Sequence, residues 1–105
     1  MITKKSNADT NRFLEELMGG PMTFGMAVEA LRQSAGISQV AFAKKLGISK
    51  AQLCDIEKGR RPATIERAIR IAKALGQPPQ FFVRLMLQSQ LDEAGVKLQV
   101  ELKAA

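Results

Sequence analysis

The feature that most constrains the fold is a series of short segments, each of which begins at Ser or Thr and ends at Gly. Four of them follow one another, at residues 23–36, 38–47, 49–59 and 64–76. A Ser or Thr side chain caps a helix N-terminus by accepting a backbone N–H, and Gly ends a helix because it adopts the left-handed conformation without strain. Apolar residues recur three and four positions apart inside the segments, the spacing of one helix face. The sequence therefore predicts a bundle of short helices.

The composition excludes several classes of protein. The chain has 105 residues, of which 46% are hydrophobic, and this fits one folded domain. It contains no His and a single cysteine, Cys54, so the ligand sets of ordinary zinc sites and the residues of a catalytic triad are missing. Adjacent carboxylates, at residues 15–16 and 92–93, do not face one another on a helix. We therefore expect no enzyme activity, no cofactor and no metal site.

The net charge of +6 is concentrated in the middle third of the chain. Residues 36–70 hold eight Lys and Arg against three Asp and Glu, whereas residues 1–35 hold four of each sign. Such a region is either a solvated charged surface or the binding site of a polyanion. Charge alone leaves nucleic acid and an anionic membrane about equal as the polyanion. The most apolar stretch, residues 81–87, contains Arg84 and is far shorter than the roughly 20 residues of a membrane span. No membrane partner is expected, and without a secretory signal at residues 1–10 the expected location is cytoplasmic.

Both ends of the chain add segments to the four capped helices. Residues 9–18 are predicted to form a short helix, which the Gly-Gly-Pro sequence at 19–21 ends. A Pro pair at 78–79 is predicted to begin a further helix that extends to about residue 93. Residues 96–102 alternate apolar and polar, which is the period of a half-buried strand. The expected fold class is all-α, with about five to six short helices and a short C-terminal β-strand that pairs across a dimer.

The last helix and the strand form the expected dimer interface. The helix carries more apolar residues than one core-facing stripe requires, and a single strand has no partner within this chain. A two-fold strand pair centred on Gln99 would set Lys97 opposite Glu101 of the partner subunit and keep the apolar residues on one face. The residues predicted at the interface are Phe81, Leu85, Leu98 and Val100.

Two of the short helices have the spacing of a helix-turn-helix. Ala43 is small enough for the helices to approach, and Gly47, four residues later, suits a left-handed turn between them. The sequence GISQVAFAKKLGISKAQLCDIEKGRRP, residues 36–62, resembles the phage repressor and Cro (C1) type of helix-turn-helix, also called the XRE type. Its Gly-Ile-Ser-Gln start, Leu-Gly-Ile-Ser turn and Ile-Glu-Lys-Gly close are all in register, and the resemblance extends over residues 23–77.

This resemblance implies a sequence-specific transcription regulator, most often a repressor. Such proteins bind palindromic double-stranded DNA as homodimers, with half-sites about 34 Å apart in the major groove. The implied organisation is an N-terminal arm with a short helix at residues 1–22, a DNA-binding domain at 23–77, and a dimerisation helix and strand at 78–105. The alternative is an antitoxin of a type II toxin–antitoxin module. In that reading the arm or the strand binds a toxin protein and the bundle autoregulates the operon.

By position, the resemblance makes residues 49–58 the recognition helix. Base-reading positions fall on Lys50, Ala51 and Asp55, which would contact guanine, a thymine methyl and cytosine N4 respectively. The alternative left open is that Lys50 reaches only phosphate and Asp55 orients a neighbouring basic side chain. The expected phosphate contacts are Gln39, Ser49, Gln52, Lys58, Arg60 and Arg61.

The resemblance also implies a structural ion pair inside the domain. It joins Arg32, from the first helix of the domain, to Glu57, at the end of the recognition helix. Because removal of either residue would leave a partly buried charge, we expect each loss to cost a few kcal/mol.

Overall fold

The structure, a computed structural model, describes residues 22–105 and has five helices within them. Their all-helical arrangement confirms the predicted class for this part of the chain. The helix predicted at residues 9–18, in the N-terminal arm, lies outside the described residues. No helix between residues 22 and 105 has the length and apolar character needed to cross a membrane. The helices are α1 (Phe24–Ser34), α2 (Gln39–Leu46), α3 (Lys50–Glu57), α4 (Ile65–Ala74) and α5 (Pro79–Glu93).

The helix ends lie where the capping residues predict them. Thr23, Ser38, Ser49 and Thr64 each accept a hydrogen bond from the backbone N–H three residues ahead, at the start of α1 to α4. Gly47 ends α2 in the left-handed conformation, with φ of 73°. A left-handed residue here reverses the chain after α2 and directs it into α3. The local signals thus fix the geometry of the helix-turn-helix.

All five helices contribute to one hydrophobic core. Helix α3 packs on α1 and α2, α2 also packs on α4, and α5 covers α1 and α4 from the other side. Phe82 of α5 is completely buried and contacts the rings of Phe24 and Phe81 edge to face, at centroid distances of 5.9 and 5.3 Å. The helix-turn-helix pair is therefore held on a base formed by the other three helices.

Helix α1 approaches α3 most closely at Gly25. A Cβ atom added there would lie 2.5 Å from the carbonyl oxygen of Ile56 and 2.6 Å from that of Glu57. Both oxygens belong to the backbone, which cannot move aside as the end of a flexible side chain can. Only glycine fits this contact, and the contact sets the position of the end of α3 relative to α1.

The structure does not support the predicted C-terminal β-strand, since residues 96–105 form no strand with any part of the chain between residues 22 and 105. This tail instead lies against α5 through Gln88, whose amide donates to the carbonyl oxygen of Leu98 at 2.8 Å. The Gln88 oxygen accepts from the backbone N–H of Val100, also at 2.8 Å. These two backbone groups flank Gln99, the centre of the expected strand pair, so a side-chain amide already occupies them.

The residues predicted at the dimer interface differ in exposure. Leu85 is only 4% exposed and lies in the core of the single chain, so little of its side chain is available to a partner. Phe81 is half-buried and packs on Phe82. Leu98, in contrast, is 62% exposed, and Val100 is half-buried where its N–H bonds to Gln88. Much of the apolar surface of α5 therefore serves the core.

Candidate nucleic-acid interface

The first turn of α3 is exposed and rigidly capped. Ser49 Oγ accepts from the backbone N–H of Gln52 at 3.0 Å, and Gln52 Oε1 accepts from the backbone N–H of Ser49 at 3.0 Å. This reciprocal capping box satisfies two helix-end donors. It leaves the side-chain nitrogen of Gln52 without a hydrogen-bond partner among residues 22–105. Lys50 and Ala51 are exposed beside it.

A shallow groove of about 530 Å³ joins the N-terminal half of α2 to α3. Three of the predicted contact residues line it: Gln39 of α2, Lys50 of α3, and Lys58 just after α3. Val40, which was not among the predicted contact residues, also lines it and is 61% exposed. Val40 precedes the buried Ala43 by three residues, so helical spacing gave no reason to expect its exposure. An exposed apolar side chain beside Lys50 suits a thymine methyl.

A buried network ties α1 to α3. Arg32 Nε donates to Glu57 Oε2 at 2.7 Å and Arg32 Nη2 donates to Glu57 Oε1 at 3.2 Å. The two side chains are 8% and 0% exposed. Arg32 Nη1 also donates to the carbonyl oxygen of Ile37 at 2.7 Å. The hydrogen bond to Glu57 raises the pKa of Arg32, although burial acts in the opposite direction, so the guanidinium stays charged at any physiological pH.

The same network orients Gln39. Its side-chain Nε2 donates to Glu57 Oε1 at 2.9 Å, so the Glu57 carboxylate receives three N–H donors. Gln39 is half-buried at the first residue of α2. Because an amide nitrogen carries two hydrogens, one remains for a phosphate oxygen. The resemblance placed Gln39 at a phosphate position, but only the structure shows that Glu57 fixes its side chain.

The end of α3 carries a cluster of opposite charges. Arg60 Nε donates to Asp55 Oδ1 at 3.1 Å, and Arg61 Nη2 lies 3.9 Å from Asp55 Oδ2. The backbone N–H of Arg60 also donates to the carbonyl oxygen of Asp55, at 2.8 Å. The carboxylate expected to accept from cytosine is thus engaged by arginine, which fits the alternative that Asp55 orients a basic neighbour. Lys58 Nζ lies 3.6 Å from Glu29 Oε2 and is 55% exposed, so it stays accessible to DNA.

The arrangement of α2 and α3 is matched by a known family. A family model described as helix-turn-helix, HTH_3, matches residues 28–82. The chain belongs to the HTH_3 helix-turn-helix family. This confirms the resemblance to the repressor and Cro (XRE) type, and the whole of α2, α3 and the Arg32–Glu57 pair lies within the HTH_3 match.

Three solved structures are similar to this HTH_3 chain. The restriction-modification controller protein C.AhdI from Aeromonas hydrophila is 27% identical over 56% of this chain and 86% of its own, with a TM-score of 0.53. A Nostoc punctiforme protein, described as an antidote protein of a plasmid maintenance system, is 30% identical over 70% and 81%, with a TM-score of 0.63. An HTH_3 family transcriptional regulator from Vibrio cholerae is 34% identical over 65% and 37%, with a TM-score of 0.52. No curated protein matches the chain. The family and these neighbours indicate a DNA-binding regulator.

Proposed function

We propose that this HTH_3 protein is a sequence-specific transcription regulator that binds a palindromic operator in the major groove as a homodimer. The observation that supports this proposal is the groove where Gln39 and Val40 of α2 meet Lys50 of α3. It lies beside the exposed and capped first turn of α3. A helix of this kind enters the major groove with its N-terminal residues toward the base edges. Occupation of an operator excludes other proteins from it, so the expected mode of regulation is repression.

The residue roles follow from exposure and from the donors that are left free. Lys50 donates to guanine O6 or N7, and Ala51 contacts a thymine methyl. The free N–H groups of Gln39 and Gln52 donate to phosphate oxygens on either side of the groove, and the positive end of the α3 dipole favours a phosphate near Ser49. Lys58 and Arg61 add cationic contacts to the DNA backbone, with exposed side-chain fractions of 55% and 49%.

The homodimer is part of the proposal because one α3 contacts too few base pairs for useful specificity. Two-fold pairing places two copies of α3 about 34 Å apart. Within residues 22–105, the exposed large apolar side chains next to α5 are Val96 and Leu98, at 38% and 62%. We place the dimerisation segment at residues 78–105, the DNA-binding domain at 23–77 and the arm at 1–22.

Sedimentation tests the dimer with a matched pair of variants. Leu98→Asp adds a charge to the apolar surface and is expected to give monomers, whereas Gln99→Asp adds the same charge at an exposed polar position and should leave the dimer intact. Dimers of equal affinity in both variants would show that the tail is not the interface.

Selection of DNA from a random pool tests the function itself. The purified protein should enrich a palindromic sequence. If Lys58 and Arg61 each neutralise about one phosphate per protomer, the dimer neutralises about four, and a plot of log K against log salt has a slope of about −4. A slope near zero, or a pool without enriched sequences, contradicts the proposal.

An alternative function is supported by the Nostoc punctiforme neighbour, which has the TM-score of 0.63. In this alternative the chain is an antitoxin that neutralises a co-encoded toxin protein and autoregulates its operon. Expression of the product of the adjacent gene, with and without this chain, tests it. An antitoxin restores growth, and Lys50→Ala should still restore growth while it weakens operator binding. Growth that this chain does not change contradicts the alternative.

A further inference from the structure

The side chains of Asp55 and Cys54 hold one edge of the Arg60 guanidinium. Arg60 Nε donates to Asp55 Oδ1 at 3.1 Å, and Arg60 Nη2 lies 3.6 Å from Cys54 Sγ. Nε and Nη2 form one edge of the planar group, so the protein occupies that edge. Within residues 22–105, Nη1 and the outer hydrogen of Nη2 have no partner, and the Arg60 side chain is 62% exposed. A two-donor fork is therefore presented to solvent.

This fork matches a guanine edge. Guanine presents O6 and N7 to the major groove as neighbouring acceptors, and Arg binds them through two parallel N–H bonds. A phosphate would also accept the fork, but the Asp55 carboxylate beside it repels a phosphate. Asp55 follows Ala51 by four residues, so both lie on the same face of α3, and Ala51 is the proposed thymine contact.

We infer that Arg60 is a specificity-determining residue that reads a guanine, and that Asp55 is the positioning residue that holds it. The inference rests on the proposed function and deepens it. Asp55 fixes the guanidinium before DNA binds, so less side-chain entropy is lost at the contact. The negative charge of Asp55 also repels the DNA phosphates. It therefore lowers the affinity for DNA that has no guanine at this position, because no base contact offsets the repulsion. The pair therefore increases the ratio of specific to non-specific binding.

The experiment is selection from a random DNA pool by the full chain and three variants, Arg60→Lys, Asp55→Ala and Arg70→Lys. Arg70, an exposed arginine of α4, is the control. The wild type and Arg70→Lys should select the same guanine in each half-site. Arg60→Lys and Asp55→Ala should lower the preference for that guanine by roughly tenfold, since each removes part of a bidentate contact, and should retain the rest of the consensus. Asp55→Ala should also bind unrelated DNA more tightly, an effect that a merely structural role would not produce.

Different outcomes separate the two hypotheses. If both variants keep every guanine and Arg60→Lys weakens all sequences alike, Arg60 contacts only phosphate and the inference fails while the proposed function stands. If Arg60→Lys loses the preference for guanine while Asp55→Ala keeps it, Asp55 does not position Arg60. A wild-type protein that selects no sequence overturns the proposed function, and the inference with it. Circular dichroism spectra of each variant check folding, which we expect to persist because the two side chains are 62% and 34% exposed.

Discussion

The buried carboxylate of Glu57 gives the sharpest test of how the recognition helix is held. Glu57→Met removes the acceptor of three N–H donors, two from Arg32 and one from Gln39. The Arg32 side chain is 8% exposed, so its charge cannot be hydrated without movement of α1 or α3. Removal of one member of a buried ion pair costs about 3–5 kcal/mol, since the other charge is left uncompensated. The bond from Arg32 to the Ile37 carbonyl persists, so we expect the lower end, about 3 kcal/mol.

The matched comparison removes both charges. In the double variant Arg32→Met, Glu57→Met no ion is left buried, and two side chains that fill similar volume replace the pair. Replacement of a whole buried pair by apolar residues is often neutral or stabilising. We therefore expect the double variant to be more stable than Glu57→Met alone. Its remaining cost comes from Gln39, which is half-buried and can bond to water instead.

Urea unfolding followed by far-ultraviolet circular dichroism measures these differences, because the chain has no Trp or Tyr for fluorescence. The pKa of Arg32 is raised, so its contribution to stability is complete at all pH values below its unfolded pKa and is lost only at extreme alkaline pH. The contribution of the Arg32 charge to the stability of the wild type should accordingly be constant between about pH 6 and 9. A cost for Glu57→Met below about 1 kcal/mol, or a double variant as unstable as the sum of the single variants, refutes the reasoning.

Three further perturbations test the fold. Gly25→Ala should destabilise the chain by about 1–3 kcal/mol in urea unfolding, because its Cβ meets two backbone oxygens of α3, at 2.5 and 2.6 Å; a stabilised variant would show that the helices separate freely. Phe82→Ala should cost about 3–5 kcal/mol by the same measurement, since its ring is fully buried, and a cost below about 1 kcal/mol would contradict the packing. Gln88→Ala should speed trypsin cleavage after Lys97 and lower the free energy of unfolding by only about 1 kcal/mol. The control Gln80→Ala, at an exposed position of α5, should change neither the cleavage rate nor the free energy of unfolding. Equal cleavage of both variants would contradict attachment of the tail.

The helices could be predicted from the sequence because each signal for them lies within a few residues. Ser49 and Gln52, three positions apart, form the cap of α3 without help from the rest of the chain. Gly47 ends α2 by its own conformational freedom. The exposure of Lys50 and Ala51 was predictable from the resemblance for the same reason, since the spacing of helix, turn and helix determines which residues face outward.

The tail and the pairing of side chains could not be predicted in this way. An alternating pattern in residues 96–102 does not identify what the backbone bonds to, and its actual partner, Gln88, lies on a preceding helix. The closeness of Gly25 to α3 depends on how α1 crosses α3. The residues that Gly25 contacts, Ile56 and Glu57, lie 31 and 32 positions further along the sequence. The Asp55–Arg60 bond depends on the path of the turn after α3. Each of these contacts joins elements whose relative placement only the folded chain defines.

Glu57 links the stability of the bundle to its proposed binding surface. Most substitutions in α3 should fall into one of two groups, those that lower stability and those that weaken DNA binding. Leu53 and Ile56 are buried in the core, whereas Lys50 and Ala51 are exposed. Glu57 belongs to both groups, since its carboxylate neutralises Arg32 and also holds the Gln39 amide at the groove proposed to bind DNA. The double variant Arg32→Met, Glu57→Met can regain stability, but it cannot restore the orientation of the Gln39 amide. A double variant that is stable yet binds operator more weakly than wild type would therefore separate the two roles of Glu57, and equal affinity would show that Gln39 needs no orientation.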